Sequence, residues 1–179
     1  GVWLAEGHKT KSHHSLLTIG GNDIELLKYL KEYEARKIEK YSNRNYYKVY
    51  FTKEKGFYTR RNRSLVLEEL SRFCDYDKKD VKIIDNYLYN SREQRKRLLA
   101  GILDGDGYLD RTKWTFEIIS KYDSLSKDIL FLARSLGYHA SLSFKYVNNV
   151  KYKRIYISGD LHELPSLIAR KTPIRNPQK

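Results

Sequence analysis

The 179-residue sequence has one cysteine, three prolines and no methionine. A single cysteine excludes an internal disulfide, and five histidines at unsuitable spacings do not complete a zinc site around Cys74. The scarcity of proline, with 40% apolar residues and no low-complexity tract, disfavours disorder. We therefore expect a folded protein in a reducing, intracellular setting.

Long apolar runs are also missing from the sequence. None approaches the roughly 18 residues that a membrane span needs, and the start at Gly1 is not that of a signal peptide. We expect a soluble protein with no visible targeting signal, acting wherever its target resides. A chain of 179 residues suffices for one good-sized core or for two cores of about 90 residues each.

Acidic residues are outnumbered by basic ones, 22 against 35, which leaves a net charge of +13. This excess predicts a polyanionic partner, either nucleic acid or an anionic membrane surface. The membrane is the weaker alternative because no amphipathic helix carries clustered aromatic residues.

Two segments have the 3.6-residue apolar period of amphipathic helices. The first covers residues 26–33 after Asn22 or Asp23 as N-cap, and the second covers residues 125–136 between Asp123 as N-cap and Gly137 as C-cap. Alternating apolar and polar residues predict half-buried strands at 46–51, 114–118, 141–146 and 151–157. The order of helix, two strands and helix therefore occurs twice.

An internal repeat accompanies this order. The pairs that coincide at an offset of 100 positions include Gly1/Gly101, Glu6/Asp106, Gly7/Gly107 and Asp23/Asp123. They fall at predicted helix ends and caps, where backbone geometry restricts the choice of residue. The sequence predicts a pseudo-duplicated chain.

Residues 91–107 form the most informative segment. Ser91-Arg92-Glu93-Gln94 is typical of a capping box and predicts a helix over 92–106 that stops at Gly107. Each glycine costs such a helix up to about 1 kcal/mol, so the cluster of Ala100, Gly101 and Gly105 indicates close approach of a second helix.

Asp106 is expected at the C-terminus of this helix, beside unpaired carbonyls that disfavour a carboxylate unless a cation binds. Carboxylate and carbonyl oxygens suit a hard divalent ion. A solvated turn over 104–107 is the alternative interpretation. An EF-hand loop is excluded, because Leu109 and Thr115 occupy the positions of its glycine and terminal glutamate.

Residues 99–107 resemble the nine-residue signature of the LAGLIDADG homing endonucleases, in the intein-type subgroup. Residues 1–7 resemble the remainder of a first copy, in which Glu6 replaces the usual aspartate. The resemblance implies an α+β fold of two pseudo-symmetric αββαββα repeats that form a basic β-saddle. It divides the chain into an N-terminal half, residues 1–90, and a C-terminal half, residues 91–179, within one monomer.

The resemblance also implies a chemistry. Glu6 and Asp106 would lie side by side and hold Mg²⁺, with Mn²⁺ as a possible substitute. The enzyme would cut both strands of a long asymmetric double-stranded DNA site and leave 3′ overhangs. A cleavage-deficient DNA- or RNA-binding protein on the same scaffold, such as a maturase or a domesticated regulator, is the alternative.

Two lysines extend the resemblance as further catalytic residues. Lys82 lies in Val-Lys-Ile-Ile, where Asp85 replaces the proline of the related motif, and Lys171 lies in a segment similar to the family's closing block. An ammonium group beside the scissile phosphate would position the nucleophile or stabilise developing charge.

Basic and polar residues on the open side of the strands are the candidates for contacts to DNA bases and phosphates. The segment 44–63 has seven basic residues against one acid. The candidates are His13, Ser15, Lys48, Arg60, Arg61, Arg63, Lys113, Lys145, Lys151, Lys153 and Arg154. The histidines His8, His13 and His14 are assigned no metal.

Overall fold

A computed structural model describes residues 1–9, 16–32, 35, 37–51 and 65–174, with the side chains of 65–67 left aside. The elements of the first half are α1 (Val2–Glu6), β1 (Leu16–Gly20), α2 (Ile24–Glu32), β2 (Lys37–Lys40), β3 (Tyr46–Tyr50) and α3 (Leu65–Ser71). The helix expected at 26–33 is observed as α2, and residue 33 lies outside the described residues.

A short connection leads to the second half through β4 (Cys74–Asp75), β5 (Asp80–Val81) and α4 (Asp85–Leu88). The second half contains α5 (Arg92–Asp106), β6 (Tyr108–Asp110), β7 (Thr115–Ser120), α6 (Asp123–Ser135), β8 (His139–Val147) and β9 (Val150–Ser158). Two short 3₁₀ turns follow at Leu161–Glu163 and Ala169–Lys171. None of the described helices combines the length and apolarity that crossing a membrane would require.

The two halves repeat one sheet topology. The first sheet has the strand order β1-β3-β2 and the second has β6-β7-β9-β8, with antiparallel pairing throughout. In each half the outer hairpin pairs with the strand that precedes the amphipathic helix. The α+β fold and the internal repeat predicted from the sequence are thus observed.

Local signals explain the element ends. The Ser91 hydroxyl accepts a hydrogen bond from Gln94 N at 3.3 Å, and α5 ends at Gly107 as expected. Gly137 has φ +91° after α6, the left-handed conformation that glycine adopts without strain. Asn148 and Asn149 also have positive φ and form the β8–β9 turn.

Helices α1 and α5 pack through their small residues. A Cβ on Gly101 would lie 3.0 Å from Val2 N, and a Cβ on Gly105 would overlap the Ala5 side chain. The glycines therefore permit the close approach that the sequence predicted, and the contact joins the halves through the middle of the core.

Each sheet has one covered and one open face. The covered faces carry the buried side chains of Ile19 and Val49 in the first sheet and of Ile118 and Ile155 in the second. Because side chains alternate along a strand, the residues between these point to the opposite face. We call that opposite face the open face.

The segments that follow the two sheets carry contacts between the halves. After α3, Ile83 N donates to Asp128 at 2.7 Å and Ser124 N donates to Asp80 at 3.2 Å, which fastens the connection to α6. After β9, Arg170 forms an ion pair with Asp23 at the start of α2. The division at residue 90 remains a prediction, and these contacts cross it.

Candidate active site and nucleic-acid interface

The candidate site lies where α1 and α5 end together. A Cβ on Gly105 would lie 3.2 Å from Glu6 Cγ and 3.5 Å from Glu6 Oε1, so the Glu6 carboxyl group rests against the backbone just before Asp106. The two acids come from opposite halves of the chain, 100 positions apart. The structure thus brings together the pair that the sequence singled out.

The two carboxylates carry like charges and repel each other. Burial, and then repulsion by Asp106, raise the pKa of Glu6 to about 7, while Lys171 and Lys9 act in the opposite direction. Burial also raises the pKa of Asp106, against the attraction of Lys9 and Lys171. The Asp106 side chain still reaches solvent, so this desolvated pair is open on one side.

Lys9 is a site residue that the sequence reasoning missed. Its Nζ donates to Ala5 O at 3.0 Å and lies 5.5 Å from the centroid of the Trp3 ring. Burial lowers the pKa of Lys9 to about 8, although Asp106 and Glu6 favour its charged form. Its position three residues after Glu6, next to the motif, was the available signal.

Lys171 lies at the same helix end but faces the backbone. It is only 5% exposed, and its Nζ donates to Asp104 O at 2.6 Å and to Gly105 O at 2.7 Å. The carbonyls expected to be unpaired beside Asp106 therefore have a cationic partner within the chain. This lysine caps α5 and attracts both carboxylates. Its catalytic role remains a prediction.

Lys82 is placed differently. It is exposed just after β5. Burial raises the pKa of Asp128, and the charge of Lys82 partly opposes that rise. Burial raises the pKa values of Glu6 and Asp106, and the cations that lower them are Lys9 and Lys171, not Lys82. Its catalytic role remains a prediction.

Asp104 holds the segment that delivers Lys171. Its carboxylate is 1% exposed and accepts hydrogen bonds from Leu167 N at 2.8 Å and from the Ser166 hydroxyl. The sequence predicted Asp104 in the helix over 92–106, with a solvated turn as the alternative, and nothing local indicated that its partners lie more than 60 residues away.

A pocket of about 230 Å³ opens beside Asp106. Its walls include Lys9 and Lys121 as well as Ile119 and Tyr152, which belong to the open face of the second sheet. Lys121, a second cation that the sequence reasoning did not select, packs its Nζ over the Tyr122 ring at 5.0 Å.

The donor set fits a hard divalent ion. Two desolvated carboxylates that repel each other gain from a cation between them, and oxygen ligands are those that Mg²⁺ and Mn²⁺ prefer. Within the described ranges no third histidine, cysteine or acidic residue joins them, so water or substrate oxygens would complete the coordination.

The open faces carry part of the predicted DNA-binding set. Lys48 lies on the open face of the first sheet with its Nζ 4.7 Å from the Tyr41 ring, and Lys145 and Arg154 lie on that of the second sheet. Lys113 is exposed in the β6–β7 turn. The candidates His13, Ser15, Arg60, Arg61 and Arg63 lie outside the described residues.

Lys151 and Lys153 alternate with Arg154 along β9 and fall on the other face. Lys153 Nζ lies 2.8 Å from Asp123 Oδ1, and Lys151 Nζ lies 3.7 Å from the centroid of the Phe144 ring. The structure therefore does not group these two lysines with Lys145 and Arg154.

Comparison with known proteins agrees with this arrangement. Residues 82–163, which include α5 and the second sheet, match the family model of the homing endonucleases. The crystal structure of I-DmoI with DNA and Ca matches with a TM-score of 0.54 at 14% identity, over 88% of this chain and 78% of that one. The complex of I-DmoI with DNA and Mn matches equally, over 88% and 85%.

Mesophilic variants of the homing endonuclease I-DmoI match with the same TM-score of 0.54 and identity of 14%. The chain therefore has the LAGLIDADG fold of I-DmoI, and its residues 82–163 are similar to the homing endonuclease family.

Proposed function

We propose that this protein is a site-specific homing endonuclease that hydrolyses both strands of double-stranded DNA with the help of a divalent metal ion. The observation that carries the proposal is the pairing of Glu6 and Asp106, one acid from each half, where Asp106 lines a pocket whose walls include Ile119 and Tyr152 of the second sheet. The similarity to a DNA-bound endonuclease of the same fold supports it.

Glu6 and Asp106 would hold the metal, which when bound supplies a polarised phosphate and an activated water. Glu6, with its pKa near 7, must lose its proton to act as a ligand, and the charges of Lys9 and Lys171 favour that loss. Lys9 offers an ammonium group beside the acids that would stabilise charge developing on the phosphate. Lys171 holds the end of α5, and with it Asp106, in place.

Double-stranded DNA would lie across the two open faces, with Lys48 on one sheet and Lys145 and Arg154 on the other. Since the two faces carry different side chains, the target would be asymmetric. We further propose that Mg²⁺ is the natural ion, that cleavage leaves 3′ overhangs, and that the protein is an intracellular monomer of intein-type origin.

The substitution Asp106→Asn tests the proposal because it keeps the size of the side chain and removes a metal ligand. We expect cleavage of a selected duplex in Mg²⁺ to be abolished and duplex affinity to stay within about tenfold, since binding depends mainly on phosphate contacts elsewhere. The exposed Asp160→Asn is the matched control. Unchanged cutting by Asp106→Asn would overturn the metal role, and binding without cutting by the unsubstituted protein would favour the cleavage-deficient binder.

A further inference from the structure

One cation on the open face of the second sheet is bound to a carboxylate on the same face. Arg154 lies in the middle of β9, where its cross-strand neighbours are Ile119 on β7 and Ser143 on β8. Its Nε is 2.9 Å from Oε1 of Glu117, which lies on β7. The guanidinium carbon is also 5.3 Å from the Tyr156 ring.

These contacts fix the guanidinium group without covering it. The Arg154 side chain remains 30% exposed and Glu117 is 20% exposed. An ion pair on one edge and an aromatic ring nearby restrict the rotamers of the long side chain, so less entropy is lost when a ligand binds. The exposed part of the planar fork remains for that ligand.

The nearby carboxylate decides which ligand suits the fork. A phosphate placed on Arg154 would also lie close to the negative charge of Glu117 and would be repelled by it. A base edge is uncharged and escapes that repulsion. In the major groove, guanine presents two acceptors, O6 and N7, that match the two parallel donors of an arginine.

From this geometry we infer that Arg154 reads a guanine in the major groove of the target and that Glu117 is its positioning residue. The inference rests on the proposed function and deepens it, because it assigns one base to one side chain. Lys145 is the matched contrast on the same face, since within the described part of the chain it forms no ion pair. It suits a phosphate.

The test is selection of bound duplexes from a randomised library, with all proteins carrying Asp106→Asn so that bound DNA is not cut. The parent should select guanine at one position by roughly 5- to 150-fold over the other bases. Arg154→Gln should lose this preference or shift it to adenine at that position alone. Arg154→Lys should keep most of the affinity and lose the preference.

Glu117→Gln gives a second, independent expectation. Without the carboxylate, Arg154 becomes free to contact phosphate, so binding to random duplexes should tighten. The salt dependence of that binding should steepen by about one phosphate contact, and the guanine preference should weaken. Lys145→Gln, the control, should weaken binding to all sequences and leave every base preference in place.

Two outcomes would overturn the inference. In the first, Arg154→Gln keeps all base preferences while its salt dependence falls by about one contact, which makes Arg154 a phosphate ligand. In the second, Glu117→Gln leaves both affinity and preferences unchanged. Failure of the parent to select any duplex would instead overturn the proposed function, so the two failures are distinguishable.

Discussion

At the scale of single residues, Glu6 links stability to pH. Its pKa is about 7 in the folded protein against an ordinary 4.5, so the folded state binds more protons than the unfolded state between these values. Stability should therefore be highest below pH 4.5 as far as this group is concerned, and it should fall as the pH rises to 7. Glu6→Gln removes that loss.

We expect Glu6→Gln to be more stable than the unsubstituted protein at pH 8 without metal, by on the order of 1 kcal/mol once solvent screening is allowed for. Thermal unfolding should show this as a rise of about 2–4 °C. The exposed Glu93→Gln on α5 serves as control. Addition of Mg²⁺ should stabilise the unsubstituted protein and not Glu6→Gln, and equal stabilisation of both would contradict the assigned ligand.

Lys9 and Lys82 are the second pair of single residues to compare. Lys9 lies among the charges that act on both acids, whereas Lys82 is exposed beside Asp128. We expect Lys9→Met to lower the cleavage rate by about 10²-fold or more, the usual cost of removing one stabilising group. Lys82→Met should lower it less. Single-turnover cleavage measures both, and the reverse order would return the catalytic role to Lys82.

At the scale of elements, the contact between α1 and α5 depends on the absence of side chains. A Cβ on Gly105 would overlap Ala5 and press on Glu6. We expect Gly105→Ala to lower the free energy of unfolding by about 1–3 kcal/mol, the usual cost of overpacking, despite the better helix propensity of alanine. Chemical denaturation measures the change, with the exposed Gln94→Ala on the same helix as control. A neutral or stabilising effect would contradict the tight packing.

The same elements show what a sequence can and cannot predict. Helix α5, its Ser91 cap and its end at Gly107 depend on neighbouring residues, and all three were predictable. Lys9 and Asp104 were not selected, because tertiary packing determines their partners. Asp104 accepts a hydrogen bond from Leu167 N, and Lys9 interacts with the distant Asp106.

The placement of Lys151 and Lys153 concerns the two faces of one strand. The alternation along 151–157 was visible in the sequence and by itself places these lysines on the face opposite Arg154, whereas which parity is covered depends on how the sheet packs. Buried Ile155 and Ile157 settle that parity in the structure. Charge alone placed all three residues in one group, and strand geometry divides them.

At the scale of the whole molecule, the net charge of +13 predicts binding that is strongly dependent on salt. Each phosphate contact should contribute a slope of about −0.9 to the logarithm of affinity against the logarithm of salt concentration. Fluorescence titration of a labelled duplex at several NaCl concentrations measures it, with the Lys145→Gln variant expected to be shallower by about one contact. A flat response would argue against DNA lying across the open faces.

The contacts between the halves that follow α3 and β9 have a consequence for how halves of such proteins can be exchanged. The connection after α3 is seated on α6, and the segment around Arg170 is seated against Asp23. Consider a chimera in which one half comes from another protein and the two halves are joined at residue 90. The contacts between the halves would then face side chains that do not match them. Modular exchange of target preference would therefore require Arg170 and Asp23 to be kept as a matched pair, while the rest of the segment at 164–171 stays with Asp104 and α5 of its own half.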